Sequence, residues 1–303
     1  MTTAPDTSAR PASESGNTGR AALWMTGAVF SFTLMAVAGR EVSIDLDTFE
    51  TMMYRSLIGG TIVTAIGFAT GRLAETRTTK FRLHVTRNVF HFTGQNLWFY
   101  AVPLVPLAQF AAFEFTTPLW VAILAPFVLG ERLRPVQVLA LILGFIGILI
   151  VARPGISPLG IGHLAAALAA IGFAGNVLAT KGLSRTETVW TILFWMTWMQ
   201  AVFGLVCAGI DGDIALPAAS SVKWVVAIGI CGLTAHLSIA SALRHAPASV
   251  VAPLDFARLP IVAIVGMLAY GEALEVAVFA GATLIMAGNL MNLRAERTPR
   301  RDP

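Results

Sequence analysis

The sequence predicts an all-α integral membrane protein of ten transmembrane helices, built as two inverted five-helix repeats. Three observations carry that expectation: composition, the spacing of apolar runs, and an internal duplication. The chain is 56% apolar and only 13% charged, whereas a water-soluble chain of this length carries about a quarter charged residues. Residues 101–153 and 242–294 align without a gap, and 14 of the 53 positions are identical. This 141-residue offset pairs Pro106 with Pro247, Phe115 with Phe256, and Val121-Ala122-Ile123 with Val262-Ala263-Ile264. It also pairs Gly130-Glu131 with Gly271-Glu272, Gly147 with Gly288, Arg153 with Arg294, and the carboxylates Glu114 and Asp255. Over residues 21–100 the same offset gives nine identities in 80, a level that shared membrane composition supplies. A duplicated membrane segment is the mark of a transporter made of two related halves.

Each crossing needs roughly 20 apolar residues. The apolar runs give ten spans, near 21–39, 49–70, 83–102, 106–128, 135–152, 160–180, 188–209, 221–243, 247–270 and 275–293. Residues 21–155 form the first repeat and 156–294 the second, between a disordered tail over 1–20 and a basic tail over 295–303. The first span is not a cleaved signal peptide, since its leader is long, no A-x-A site follows, and nine more spans do.

Charge sets the orientation. With both termini in the cytoplasm, the inner segments hold 15 Lys and Arg residues, including Arg72, Arg77, Lys80, Arg132, Arg134, Lys181, Arg185 and Arg294. The outer loops hold three, Arg40, Arg153 and Lys223, while Arg55, Arg87 and Arg258 lie within spans. That asymmetry obeys the positive-inside rule. Because each half has five spans, the second enters the membrane from the opposite side. Inverted halves give two exchangeable conformations of similar energy, as alternating access requires.

Several classes are excluded. Cys207 and Cys231 fit no metal spacing and suggest no disulfide framework. The sequence has no Walker motif, H-E-x-x-H, CxxC or Gly-rich dinucleotide loop, so no cofactor or metal is expected. The pI near 9.5 reflects short basic loops between apolar runs rather than a nucleic-acid surface.

The run from Pro106 to Gly155 contains Pro118-Leu119-Trp120, Leu129-Gly130-Glu131-Arg132-Leu133, Gly144-Phe145-Ile146-Gly147 and Arg153-Pro154-Gly155. It resembles the EamA branch of the drug/metabolite transporter superfamily, as does the second copy from Pro247 through Gly271-Glu272 to Gly288. The resemblance implies a carrier of small organic solutes, proton-coupled or exchange-driven, in a bacterial inner (plasma) membrane. The scaffold carries amino acids, nucleosides, vitamins and other metabolites alike. A second copy of the chain is a further candidate partner.

Spans four and nine both carry proline near their middles, Pro118 in one and Pro253 and Pro260 in the other. Matched interrupted helices point to a binding site, and a packing kink is the plainer alternative. Glu114 and Asp255 occupy matched positions there, one expected on each side of the midplane. Carboxylates at membrane depth face the bundle interior and mark ion or substrate paths, which makes these two candidates for carrying protons. Arg258, three residues after Asp255, could instead neutralise it locally.

Span three bears a polar stripe at helical spacing, Arg87, His91 and Gln95, with Asn88 and Asn96 beside it. Arg87 can snorkel to the cytoplasmic interface. Gln95 aligns with His236 through the repeat, so one depth is polar in both halves. Arg55 could attract an anionic solute group, pair with Glu114 or anchor at the interface, and Asn176 could bond substrate or bridge helices. Trp98, Trp120, Trp195, Trp198, Phe113, Phe115 and Phe256 are candidate aromatic walls for a flat solute. The two Gly-Glu pairs read as structural, a helix stop followed by a charge at the next N-terminus.

The inventory of both charge signs, amides and aromatics suits a small zwitterionic or polar solute such as an amino-acid derivative. A flavin-like vitamin or a drug on the same scaffold is the alternative. Rivals of another class are a membrane-embedded lipid-modifying enzyme, a lipid flippase and a passive channel.

Overall fold

A computed structural model describes residues 17–130, 133–154, 158–210 and 212–297. Glu131, Arg132, Gly155, Asp211 and most of both expected tails lie outside the described residues. The described chain is helical, with no β-strand. Its twelve α-helices, besides a 3-10 turn over Leu73–Thr76, are α1 (Thr18–Val42), α2 (Thr48–Ala69), α3 (Phe81–Ala101), α4 (Leu107–Glu114), α5 (Thr117–Leu129) and α6 (Pro135–Ala152) in the first half. In the second half they are α7 (Ile161–Leu183), α8 (Val189–Ala208), α9 (Val222–His245), α10 (Ala248–Asp255), α11 (Arg258–Tyr270) and α12 (Val276–Arg297).

The 141-residue offset recurs in these bounds far beyond the region of sequence identity. It carries the starts of α2 and α3 onto those of α8 and α9, and both ends of α4 and α5 onto both ends of α10 and α11. Spans four and nine are therefore each two helices, broken at Phe115–Thr116 and at Phe256–Ala257. Each second piece ends on a glycine in the left-handed region, Gly130 at φ +68° and Gly271 at φ +67°, where a side chain would be strained.

Packing follows the same exchange of halves. The main partners are α1 with α9, α3 with α7, α2 with α8, and α6 with α12. Exchanging the halves turns the first pair into the second and each of the last two into itself, as a two-fold axis would. The α6–α12 crossing is close because its contact residues are small: a Cβ on Gly147 would strike the Gly281 carbonyl oxygen, and one on Gly288 would strike that of Ala140. These two contacts are also interchanged by the offset.

Phe30, Phe68, Phe127 and many Leu, Ile and Val side chains lie on the outer surface, as a lipid-facing bundle requires. Nine helical segments among the described residues are long and apolar enough to cross a membrane, counting α4–α5 and α10–α11 as one each. The protein is thus a multi-pass membrane protein. α3 is not among the nine because its stripe of Arg87, Asn88, His91, Gln95 and Asn96 is polar, and all five are buried.

Two expectations at the N-terminus and in α3 are corrected. The first helix begins at Thr18, inside the expected disordered tail, because the Asn17 side chain accepts the Arg20 backbone N–H and caps it. Arg87 does not snorkel: it is buried, donating to the Thr180 hydroxyl at 3.1 Å and to Asn88 Oδ1 at 3.1 Å.

The loops fall at two ends. One end joins Arg40, Val102, Leu107, Arg153, Tyr270, Glu272 and Glu275. Here Arg40 reaches Glu272 at 2.5 Å and the Val102 and Val105 carbonyls, while Glu272 accepts the Leu107 backbone N–H at 2.8 Å. Glu272 thereby caps α4 of the other half rather than the helix that follows it, a correction to the expected role of that Gly-Glu pair. At the opposite end the 73–76 turn meets the start of α8 through Thr188, Thr191 and Trp195.

Candidate functional site

The helix breaks of α4–α5 and α10–α11 meet in the middle of the bundle. Pro118 offers no N–H to the Glu114 carbonyl one turn earlier, and the Thr117 hydroxyl donates to it instead at 2.8 Å. The Phe115 carbonyl, also outside the regular helix pattern, accepts the Asn289 side-chain amide at 2.9 Å. Protein groups thus satisfy the backbone that the break frees, the condition for irregular backbone at membrane depth. Phe115 and Phe256, matched by the repeat, stack on each other with ring centres 4.3 Å apart and planes 16° apart.

Arg258, buried at the start of α11, lies against this stack. It donates to Glu114 Oε1 at 2.9 Å and lies 3.6 Å from Asp255 Oδ2. Its guanidinium sits over the rings of Phe32 and Phe115, at 4.7 and 4.9 Å. Glu114 also accepts the Trp98 indole N–H at 3.0 Å. The sequence offered a local neutralisation of Asp255 by Arg258, and the closer partner is instead Glu114 of the other half. The two carboxylates share one guanidinium rather than standing apart across the midplane.

These groups line a cavity of about 360 Å³. Glu114, Asp255, Arg258, Arg55, His91, Gln95, His236 and Asn176 all border it, as does Pro118. Pro260 does not; it faces a separate hollow beside Phe279 and Met286. Of the expected aromatic walls, Trp98, Phe115 and Phe256 reach the cavity. Trp195 turns to the Thr76 carbonyl, Trp198 to the Thr64 hydroxyl, and Trp120 packs on Phe145.

Arg55 neither anchors at an interface nor pairs with Glu114: it is buried and donates to Gln200 Oε1 at 3.5 Å. The Gln200 amide nitrogen meets His91 Nδ1 at 2.6 Å, and the His91 and His236 rings lie 5.9 Å apart.

The lining is itself organised by the repeat. Phe32 and Phe173, Gln95 and His236, Glu114 and Asp255, Phe115 and Phe256, and Thr117 and Arg258 are matched pairs on its wall. Sequence reasoning missed Phe32, Phe173 and Asn289. The phenylalanines are an identity under the offset, hidden among background matches, and Asn289 aligns with Ile148 and so left no repeat signal.

The cavity continues past Val177, Ile239, Ala252 and Leu293 toward the end where α7, α9 and α12 finish. In the other direction Trp98 packs edge-on against Phe99 and Phe110, both at 5.0 Å, beneath the Arg40–Glu272 contact.

Known proteins bear on this geometry. A riboflavin transporter of Rhizobium johnstonii is 28% identical over 93% of each chain. One of Brucella anthropi is 31% identical over 73% of this chain and 79% of its own. An S-adenosylmethionine uptake transporter of Rickettsia felis is 23% identical over 90% of this chain and 92% of its own. A solved crystal structure shares the fold at a TM-score of 0.64 and 20% identity, covering 92% of this chain and 99% of that one. The profile of the EamA-like transporter family matches twice, over residues 19–153 and 160–294. An EamA repeat on each side of a polar, aromatic-walled cavity makes this chain a member of the EamA-like transporter family, a carrier of small metabolites and not an enzyme.

Proposed function

We propose that the chain is a secondary carrier that moves a small polar or zwitterionic organic metabolite with a flat ring across the inner membrane by alternating access. The observation that carries this reading is the meeting of two repeat-matched broken helices at Glu114, Arg258 and Asp255 inside the cavity. Broken helices at the repeat interface are where such carriers hold solute. Charges of both signs suit a zwitterion, and Phe32, Phe115, Phe173, Phe256 and Trp98 offer ring faces.

The chain crosses ten times with both termini cytoplasmic. α3 supports this count: its 21 residues span roughly 30 Å at 1.5 Å each. The cavity then opens inward and the Arg40–Glu272 end faces outward and closed. Glu114 serves as the proton-coupling group, exchanging its hold on Arg258 for a proton.

A second reading is a riboflavin-type vitamin, favoured by the names of the relatives that are 28% and 31% identical and by the aromatic lining. Counterflow in proteoliposomes, with labelled amino acids, adenine-bearing zwitterions and riboflavin, tests both. Exchange of a zwitterion supports the first reading, and exchange of riboflavin alone supports the second. Flux of all solutes without counterflow would make the protein a channel and sink both.

A further inference from the structure

The charges around the cavity do not balance. Arg258 has two carboxylates, Glu114 and Asp255. Arg55 has none among the described residues, although it is 6% exposed. Among the described residues its one hydrogen bond is a long one to Gln200, and its Nε has no partner. An unpaired guanidinium at this depth is costly, and such groups normally meet a counter-charge.

Two other residues that line the same cavity, Gln95 and His91, are donors as well. Gln95 is 4% exposed, borders the cavity and leaves Nε2 unpartnered. Gln200 turns its carbonyl oxygen to Arg55 and hence its amide N–H to His91 Nδ1. That bond fixes the imidazole proton on Nε2, a third donor on the wall. Room for the guanidinium comes from Gly232, where a Cβ would lie 2.8 Å from Arg55 Nη2 and 3.0 Å from Nε. Three donors that line one cavity, one of them a cation seated in the room that Gly232 leaves, form a site for a planar anion.

We propose that Arg55, with Gln95 and His91, forms a carboxylate subsite that binds the acidic group of the transported metabolite. This deepens the carrier reading and rests on it: the substrate bears a carboxylate at the Arg55 end of the cavity, and its cationic or ring portion faces Glu114, Asp255 and the phenylalanines.

The test uses benzoate and its uncharged isostere benzamide as probes on the purified full-length protein, read as melting temperature against concentration. Benzoate is expected to raise the melting temperature saturably and benzamide to leave it unchanged. Arg55→Gln should abolish the benzoate shift, and Arg55→Lys should reduce it by loss of the two-pronged geometry. Gly232→Ala, which displaces the guanidinium without removing it, should weaken the apparent affinity at least several-fold; with Arg55→Lys it carries the test if Arg55→Gln does not fold. Equal shifts by benzoate and benzamide, no shift by either, or an undiminished benzoate shift in the Arg55 and Gly232 variants would each overturn the subsite. Counterflow separates this from the carrier reading. Organic solute exchange that benzoate does not inhibit sinks the subsite alone. An Arg55-dependent benzoate shift with no solute exchange sinks the carrier reading alone.

Discussion

Arg258 joins the two repeats, because its 2.9 Å partner Glu114 belongs to the first half and its 3.6 Å neighbour Asp255 to the second. Removing one member of a buried pair leaves an uncompensated charge and costs about 3–5 kcal/mol. Arg258→Ala and Glu114→Ala should therefore lower membrane abundance and melting temperature sharply. The double variant should regain much of the loss, and Asp255→Ala should be the mildest single change. Equal losses for Glu114→Ala and Asp255→Ala would show that the distances misrank the partners. Glu114→Gln asks a different question, since it keeps the shape and removes the proton site. It should abolish pH-driven transport and leave solute exchange intact, as measured by counterflow with and without an imposed pH gradient. Loss of both at normal abundance would make Glu114 a substrate ligand. Most of this cluster was legible in the sequence, since charged residues inside apolar runs are conspicuous and the repeat aligned Glu114 with Asp255. What distance along a helix could not reveal was the choice of partner. Arg258 is three residues from Asp255 in the chain, yet the helix break turns its guanidinium toward the other half.

Helix bounds and helix contacts were legible to different degrees. Apolar run length located the long helices to within a few residues, because membrane thickness fixes that length. The breaks at Phe115 and Phe256 were foreshadowed by Pro118 and Pro260, whose missing N–H groups cannot continue the pattern. Contact order was not legible, since apolar periodicity is nearly uniform around a lipid-embedded helix and does not single out a partner. Only the glycines carry that information, and only after the packing is known. The α6–α12 crossing depends on Gly147 meeting Gly281 and on Gly288 meeting Ala140. Gly147→Leu or Gly281→Leu would force the backbones apart, and overpacking of this kind costs about 1–3 kcal/mol or more. A lower melting temperature is expected for both, while leucine at the lipid-facing Val138 should have little effect. Equal tolerance at all three positions would mean that the crossing is looser than its geometry.

At the scale of the molecule, the two-fold exchange of helix pairs suits the proposed carrier cycle of two states in which the ends trade roles; in the proposed orientation the cavity opens inward and the Arg40–Glu272 end is the closed one. The Arg40–Glu272 pair, 12% and 16% exposed, is the best-connected contact across that closed end. It ties α1 to the loop after α11, and through the Leu107 N–H and the Val102 and Val105 carbonyls to the entry of α4. Arg153 and Glu275 form a second tie beside it. The state that opens outward must break these contacts, so weakening them should shift the population toward it. The measurement places a single cysteine at Met35 on the cavity wall, with Cys207 and Cys231 replaced by serine, and applies a membrane-impermeant maleimide from either side. In the otherwise native protein, labelling is expected mainly from the cytoplasmic side. Adding Glu272→Gln, which removes the charge and keeps the side chain's size, should raise labelling from the outside several-fold; each 1.4 kcal/mol of differential stabilisation lost is about tenfold in population. A cysteine at Thr78 should remain cytoplasmic and one at Ile44 external in both backgrounds, which fixes the sidedness independently. If Met35→Cys labels from outside just as fast with Glu272 intact, the Arg40–Glu272 contact does not hold that end closed.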